Sequence, residues 1–266
     1  MSNGKTILGL VGSPRTDGLT NQLVSSALVG AARAGTSTEL VQMSEYVVNP
    51  CKDCQPWVCA DNLKCTYEDG NLEVLSEKIL SCDGLVLGAP VCWGDTTAMV
   101  RLLIMKLFRI YARTRPLLGL PAYGIAIAGG SGNGLVSGLR PLYHFFRIMW
   151  MRTIEPLPVT RFDLKQANLG AAESGYNLAR MAKEPFETRD HRDFWYDNLP
   201  YLTDTNAEER RLLAAVAYQG VPEESKAEVR GDWAEADILI ASGRTLESMI
   251  ETSKIYDSSD EKVSRG

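Results

Sequence analysis

Over roughly the first 160 residues, short apolar runs alternate with longer segments whose apolar residues recur every three or four positions. Thr6–Val11 (TILGLV) is apolar throughout and β-rich, the pattern of a strand buried on both faces. Thr20–Ala34 follows at helical spacing, with Leu23, Ala27 and Ala31 on one stripe. The alternation then predicts a strand over Thr38–Gln42, a helix over Leu72–Leu80, a strand over Gly84–Leu87 and a long helix over Thr96–Arg113. A fourth strand at Ala122–Ala128 (AYGIAIA), a helix over Gly134–Arg152 and a fifth strand at Thr153–Val159 complete the series. Strands and helices in alternation imply an α/β fold: a doubly wound, five-stranded parallel sheet of order 2-1-3-4-5.

Beyond about residue 170 no strand pattern survives. Leu169–Lys183 and Asn206–Gln219 read as helices, and Glu223–Ile255 as one or two more, with a helix break at Gly231–Trp233. Glu187–Tyr201 mixes charges with four aromatics and reads as an ordered connecting arm, while polar Asp257–Gly266 reads as frayed. The expectation is therefore a sheet domain over 1–169, with a Cys-rich insert at 51–65, and a helical C-terminal extension over 170–266.

Composition narrows the function classes. A net charge of −5 disfavours sequence-independent nucleic-acid binding, which needs clustered Lys and Arg facing phosphates. The most apolar stretches, Met99–Phe108 and Leu142–Met151, are interrupted by Arg101, Lys106, His144 and Arg147, so no membrane span is expected. Ile7–Val11 is too short for a signal-peptide core, and the expected location is the cytoplasm. Cys51, Cys54, Cys59 and Cys65 crowd into 15 residues; in a reducing compartment that points to a metal or redox site before disulfides.

Three loops carry the candidate chemistry, each at the carboxyl end of an expected strand, where open α/β sheets bind ligands. The first, Gly12–Asn21 (GSPRTDGLTN), offers hydroxyls, an amide, a guanidinium and backbone N–H groups at a helix N-terminus, the set that surrounds a phosphate. It is neither a P-loop nor a dinucleotide fingerprint, because its glycines are wrongly spaced and no Lys follows. The second, Gly88–Asp95 (GAPVCWGD), has a Pro and two glycines that fix backbone close to a flat ligand, with Trp93 as an aromatic wall. The third, Gly129–Gly134 (GGSGNG), leaves its backbone uncovered for a ligand edge. In a 2-1-3-4-5 sheet all three converge on one edge.

Together these loops resemble the flavodoxin-like NAD(P)H-dependent FMN reductase superfamily, with G-S-x-R-x-x-G-x-T, then a P-V-Y-x-G-like segment, then a G-G-x-x-G-like loop, over residues 5–160. The four cysteines and the following Tyr67–Gly70 further resemble its iron–sulfur flavoprotein branch. The resemblance implies that Ser13, Arg15, Thr20 and Asn21, with Asp17, Gly18 and Leu19 between them, hold the FMN phosphate. It implies that Pro90, Val91, Cys92, Trp93, Gly94 and Asp95 flank the ribityl chain and ring, and that Gly129, Gly130 and Gly132 approach the ring's polar edge. It implies that Cys51, Cys54, Cys59 and Cys65 carry a [4Fe–4S] cluster. Here their spacing is C-x2-C-x4-C-x5-C, against the branch's usual C-x2-C-x2-C-x4–7-C. Four thiolates serve zinc as well as iron–sulfur clusters, and a single C-x2-C knuckle favours iron–sulfur.

Hydride and electron chemistry then belongs to the flavin, so no catalytic side chain is assigned. The leading reading is an FMN-dependent oxidoreductase with a cluster, taking electrons from NAD(P)H or a ferredoxin-type protein and passing them to a small acceptor. The alternatives are an NAD(P)H:quinone or NAD(P)H:FMN reductase without a cluster, and a non-enzymatic redox carrier or sensor. The helix after Asp95 carries Met99, Leu102, Leu103, Met105, Leu107, Phe108 and Tyr111, more apolar surface than one sheet covers, so a homodimer or homotetramer is expected. His144 and His191 lack partner spacing and read as structural. Phe194–Tyr196 reads as packing for the arm, and Cys82 as a core thiol.

Overall fold

The computed structural model describes residues 4–46, 48–67, 71–129, 132–160, 164–202 and 206–263. β1 (Thr6–Val11), β2 (Ser37–Gln42), β3 (Gly84–Pro90) and β4 (Pro121–Ala128) pair in parallel in the order β2-β1-β3-β4. The fifth position holds two short strands, β5 (Arg152–Thr153) and β6 (Leu157–Thr160), parallel to successive stretches of β4. Pro156, between them, has no amide hydrogen for a ladder, which accounts for the break in the expected single strand. The fold is the expected flavodoxin-like α/β sheet of order 2-1-3-4-5. β4 is buried at every position, whereas the edge strand β2 is buried only at Val41 and Gln42.

Helices cover both faces. α1 (Leu19–Arg33) packs on one, where a Cβ on Gly9 would strike Val24 and Leu28. α5 (Leu135–Ile148) packs on the other, where a Cβ on Gly124 would strike Tyr143 and Phe146. α4 (Ala98–Tyr111) lies beside α5, and α3 (Leu72–Ser81) lies beside α4. The short α2 (Val58–Asn62) lies on α4.

α6 (Leu164–Arg180) joins α1 on the first face. A Cβ on Gly30 would sit 1.8 Å from the Ala172 carbonyl oxygen, and one on Gly175 would sit 1.9 Å from that of Ala27. Glycine at both points lets the two backbones touch. The chain separates into two compact units, Met1–Pro185 and Phe186–Gly266. The expected boundary at 169/170 falls inside α6, which its contact with α1 holds in the first unit.

The second unit consists of α7 (Arg189–Asp197), α8 (Asn206–Gln219), α9 (Trp233–Ala241) and α10 (Thr245–Val263), with a 3-10 turn at Glu223–Glu228. The expected connecting arm contains a helix: the Thr188 hydroxyl accepts from the His191 amide at 3.1 Å and caps α7. Tyr196 is buried there and packs near Phe186. The tail expected to fray is helical through Val263, with Ser258 and Ser259 buried. The expected break at Gly231–Trp233 is present, with Gly231 at φ +97° and the Asp232 carboxylate accepting from Ala234 N at 2.7 Å. Asp193, 1% exposed, pairs with Arg192 and Arg210; buried pairs of this kind are weak evidence for stability. Among the described residues no helix is long and apolar enough to cross a membrane.

Candidate functional site

The three loops meet, and backbone joins them. Gly12 N donates to Gly88 O at 2.7 Å, and the Thr97 hydroxyl donates to Gly12 O at 2.8 Å, tying the first loop to the second. Val91 N donates to Ile127 O at 2.8 Å and carries the β3–β4 ladder past Pro90 into the second loop. A Cβ on Gly134 would lie 2.4 Å from Gly94 Cα, so the third loop touches the second.

In the first loop Ser13 and Thr20 are buried, and Ser13 Oγ accepts from Arg15 N at 3.2 Å. Gly18 stands at the N-cap of α1 with no side chain to cap it, and the first turn carries no acidic residue. The leading amides of a helix have no partner within it, so this end of α1 presents free donors and a positive dipole. Arg15 points outward and pairs with Asp17 at 3.3 Å, holding that carboxyl below its ordinary range. Water screens so exposed a pair, so an anion at the loop can compete with Asp17 for Arg15. Leu19 is exposed at 40%. Asn21 is turned aside: its amide donates to Gln42 Oε1 at 3.4 Å and its oxygen accepts from Ser25 at 3.3 Å.

Sequence reasoning missed Gln42 and the Thr96–Thr97 pair. Gln42, buried at the end of β2, donates to the Ser13 carbonyl and braces the first loop. A Gln ending an edge strand beside that loop was the available signal. The Thr96 hydroxyl is buried without a hydrogen-bond partner, at the start of α4 beside the second loop.

In the second loop Cys92 and Asp95 bond to each other through both amides, at 2.7 and 3.1 Å. Trp93 (φ +54°) and Gly94 (φ +72°) form the tight turn between them. This turn thrusts Trp93 into full exposure and leaves Cys92 exposed, so neither forms an inner wall within the single chain. The Asp95 carboxylate accepts from Thr96 N at 2.7 Å and pairs with Arg101. In the third loop Gly129 has open space where a Cβ would be, and Gly132 (φ +83°) donates to Gly129 O at 3.0 Å. Gly130 lies outside the described residues.

The four cysteines lie elsewhere. Cys51 and Cys54 precede α2 and Cys59 lies within it; Phe108 of α4 packs edge-on to Trp57, and Arg113, just beyond α4, pairs with Asp61 at 2.8 Å. Cys59 is buried, and its thiol donates to the Arg109 carbonyl at 3.7 Å. Cys65 lines a pocket of ≈420 Å³ with Tyr67, Leu72, Glu73 and Tyr111. Cys82 is a core thiol, its pKa pushed up to about 12 by burial.

A family model described as NADPH-dependent FMN reductase matches residues 6–157, more than half of the chain. The chain belongs to that family. An iron-sulfur flavoprotein of Methanocaldococcus jannaschii is 31% identical over 144 residues, covering 53% of this chain and 72% of that one. An iron-sulfur flavoprotein of Methanosarcina thermophila is 26% identical over 145 residues, covering 54% and 74%. These relatives place the chain in the iron–sulfur flavoprotein branch, and it is an FMN-dependent oxidoreductase. A solved flavone reductase superposes with a TM-score of 0.55 at 16% identity, covering 67% of this chain and 63% of that one, a likeness of fold.

The loop edge fits FMN in kind. The uncapped α1 N-terminus suits a phosphate, the orphaned Thr96 hydroxyl is an unused buried donor, and the bare backbone at Gly129 admits a flat ring edge. The cysteines match a cluster in donor type and number only. Among the described residues no three metal-ligating side chains gather at one point.

Proposed function

We propose that this flavoprotein binds FMN across the three loops and moves electrons from NAD(P)H or a ferredoxin-type protein to a small acceptor. The observation that carries this reading is the backbone hydrogen bond from Gly12 to Gly88 together with the close approach of Gly134 to Gly94, which brings the three loops side by side. Ser13, Thr20 and the α1 amides hold the phosphate, with Arg15 drawn in from Asp17; Gly18 and Leu19 shape the turn, and Asn21 acts through Gln42. Pro90, Val91 and Cys92–Asp95 border the ribityl chain and ring, and Gly129, Gly130 and Gly132 lie at the ring's edge. When bound, the flavin supplies hydride acceptance and electron transfer. The chain's own part is to bind, orient and exclude water.

The homo-oligomer rests on a groove of ≈850 Å³ between α4 and α5, lined by Leu102, Met105, Phe108 and Phe145 and running to Asp95. With fully exposed Trp93 nearby, this face is supplied with apolar surface for a second copy. Six free cysteines suit a reducing cytoplasm.

The finer proposal is that Cys51, Cys54, Cys59 and Cys65 ligate a [4Fe–4S] cluster, supported by the relatives' names and by four thiols in one short segment. A second reading, a reductase without a cluster, is favoured by the lack of convergence among the described ligands. Anaerobic purification with flavin, iron and sulfide assays separates the two. The first expects FMN with iron, and a Cys54→Ser chain that loses iron and keeps FMN. Stoichiometric FMN with no iron, or with zinc, leaves the second. A chain that binds no FMN overturns both.

A further inference from the structure

One buried amide ties both ends of the first loop to the edge of the sheet. Gln42 is the last residue of β2, in register with Val11, the last residue of β1, and is only 6% exposed. Its Nε2 donates to the Ser13 carbonyl and, at 3.3 Å, to the Ser44 hydroxyl. Its Oε1 accepts from Asn21 Nδ2 at 3.4 Å, and Asn21 Oδ1 in turn accepts from the Ser25 hydroxyl at 3.3 Å. A carbonyl can only accept, so the Gln42 nitrogen faces Ser13 and its oxygen is left for Asn21. The Ser13 oxygen matters because Pro14 follows: this peptide has no N–H, and an oxygen is all it can offer a ligand. Beside an anion such an oxygen repels, unless a donor holds it.

We propose that Gln42 is a positioning residue for the flavin phosphate: by holding the Ser13 carbonyl and the Asn21 amide, it makes the first loop prefer a phosphorylated flavin over an unphosphorylated one. This rests on the reading that the phosphate lies at Gly12–Asn21. Gln42 acts through Ser13 and Asn21, so its effect falls on the phosphate and not on the ring, which the second and third loops border. A neutral amide suits the place, since it donates to one neighbour and accepts from another without adding charge beside an anion. Glu has the same shape, but when ionised it has no donor for Ser13 and brings a negative charge. Met has the same length and offers neither donor nor charge. The bonds from Gly12 to Gly88 and from Thr97 to Gly12 do not pass through Gln42, so they survive its replacement.

Titration of the full-length apoprotein with FMN and with riboflavin, followed by flavin fluorescence, tests this role. The wild type should bind FMN more tightly than riboflavin. Gln42→Met should weaken FMN about tenfold, as loss of one buried hydrogen bond implies, and leave riboflavin unchanged. Gln42→Glu should weaken FMN about a hundredfold, because a like charge is added near the phosphate, and again spare riboflavin. A merely structural role would lower both affinities in proportion, so the ratio of the two is the readout. Where riboflavin binds too weakly to titrate, inorganic phosphate takes its place: it should raise the Tm of wild-type apoprotein and not that of Gln42→Glu. Should both variants fail to fold, Gln42→Asn carries the test; it keeps a buried amide one methylene short of Ser13, and the ratio should fall about threefold. A wild-type chain that binds riboflavin as tightly as FMN, or whose Tm phosphate does not raise, overturns the phosphate reading and the role of Gln42 with it. A wild-type preference that the variants keep, or a proportional loss of both flavins, overturns the role of Gln42 alone.

Discussion

The loop edge proposed for FMN and the cysteine segment proposed for a cluster are built by opposite means. The loops are fixed by main-chain bonds continuous with the sheet, Gly12 to Gly88 and Val91 to Ile127, so their placement follows from strand order. The cysteine segment is fixed by side chains of Phe108 and Arg109 on α4 and of Arg113 just beyond it, and its thiols are not gathered. Eleven helical steps separate Ala98, beside the loops, from Arg109, about 16 Å along α4. A site drawn by topology exists before its ligand; one drawn by side chains depends on which partner those side chains hold.

The sharpest way to break the comparison is at the seam between loops. Gly134 has φ +83°, and a Cβ there would lie 2.4 Å from Gly94 Cα. Gly134→Val adds left-handed strain, of order 1–3 kcal/mol, to a backbone collision of similar cost. Together about 4 kcal/mol should lower Tm by about 10 °C, with loss of bound FMN. Cys54→Ser, on a half-buried segment, should move Tm by no more than ~2 °C. Thermal melting with flavin fluorescence reads both. If Gly134→Val keeps its FMN, the third loop does not belong to the flavin site.

The same contrast explains what could be read from the sequence. Buried strands such as TILGLV and AYGIAIA announce themselves because a strand covered on both faces is apolar throughout, and their order follows from alternation with helices. The apolar pattern predicts the fifth strand but not its division at Pro156, since a ladder can break and resume three residues later. The spacing marks α6 as a helix but not its neighbours, because Gly30 and Gly175 mark a close crossing only once the two helices are paired in space. The arm that proved to be α7 hid its helix under dense charge, much of it spent on one another rather than on solvent. At the loop edge, Gly and hydroxyl spacing named the loops. The direction of each side chain depended on neighbours far along the chain: Gln42 claims Asn21, and Asp17 claims Arg15. The four thiols were visible at once, while their holder, Arg109, lies fifty residues beyond Cys59 and carries no motif.

A milder perturbation of the loop edge removes one ligand contact and leaves the seam. Thr20→Ala deletes a buried hydroxyl, and Arg15→Ala deletes a cation that, on the proposed reading, would reach the phosphate only by leaving Asp17. Each contact is worth about 1–3 kcal/mol, so FMN affinity should fall between about 5- and 150-fold. Arg15→Ala should sit at the weaker end, since the exposed pair must first be broken. High salt should then weaken wild-type binding and barely affect Arg15→Ala. Titration of apoprotein with FMN measures both. If both variants bind as tightly as the wild type, the phosphate does not lie in this loop.

The smallest effect lies in the thiols themselves. Cys82 belongs to the sheet unit; it is 7% exposed, its thiol donates to Ile79 O at 3.3 Å, and burial raises its pKa from 9.0 to about 12. Below pH 9 both folded and unfolded chains keep this proton, and Cys82 adds no pH dependence. Above pH 9 the unfolded chain ionises first, so folding loses about 1.4 kcal/mol per pH unit until the folded thiol also ionises. Between pH 8 and pH 10 the wild type should therefore lose roughly 1 kcal/mol that Cys82→Ala does not, read from urea midpoints of both chains. The lost Ile79 contact is common to both pH values and cancels. Parallel curves would mean that the thiol is not closed off by packing. In the folded chain at pH 8 the exposed Cys92 should alkylate readily and Cys82 should not, because packing within the sheet unit closes its thiol.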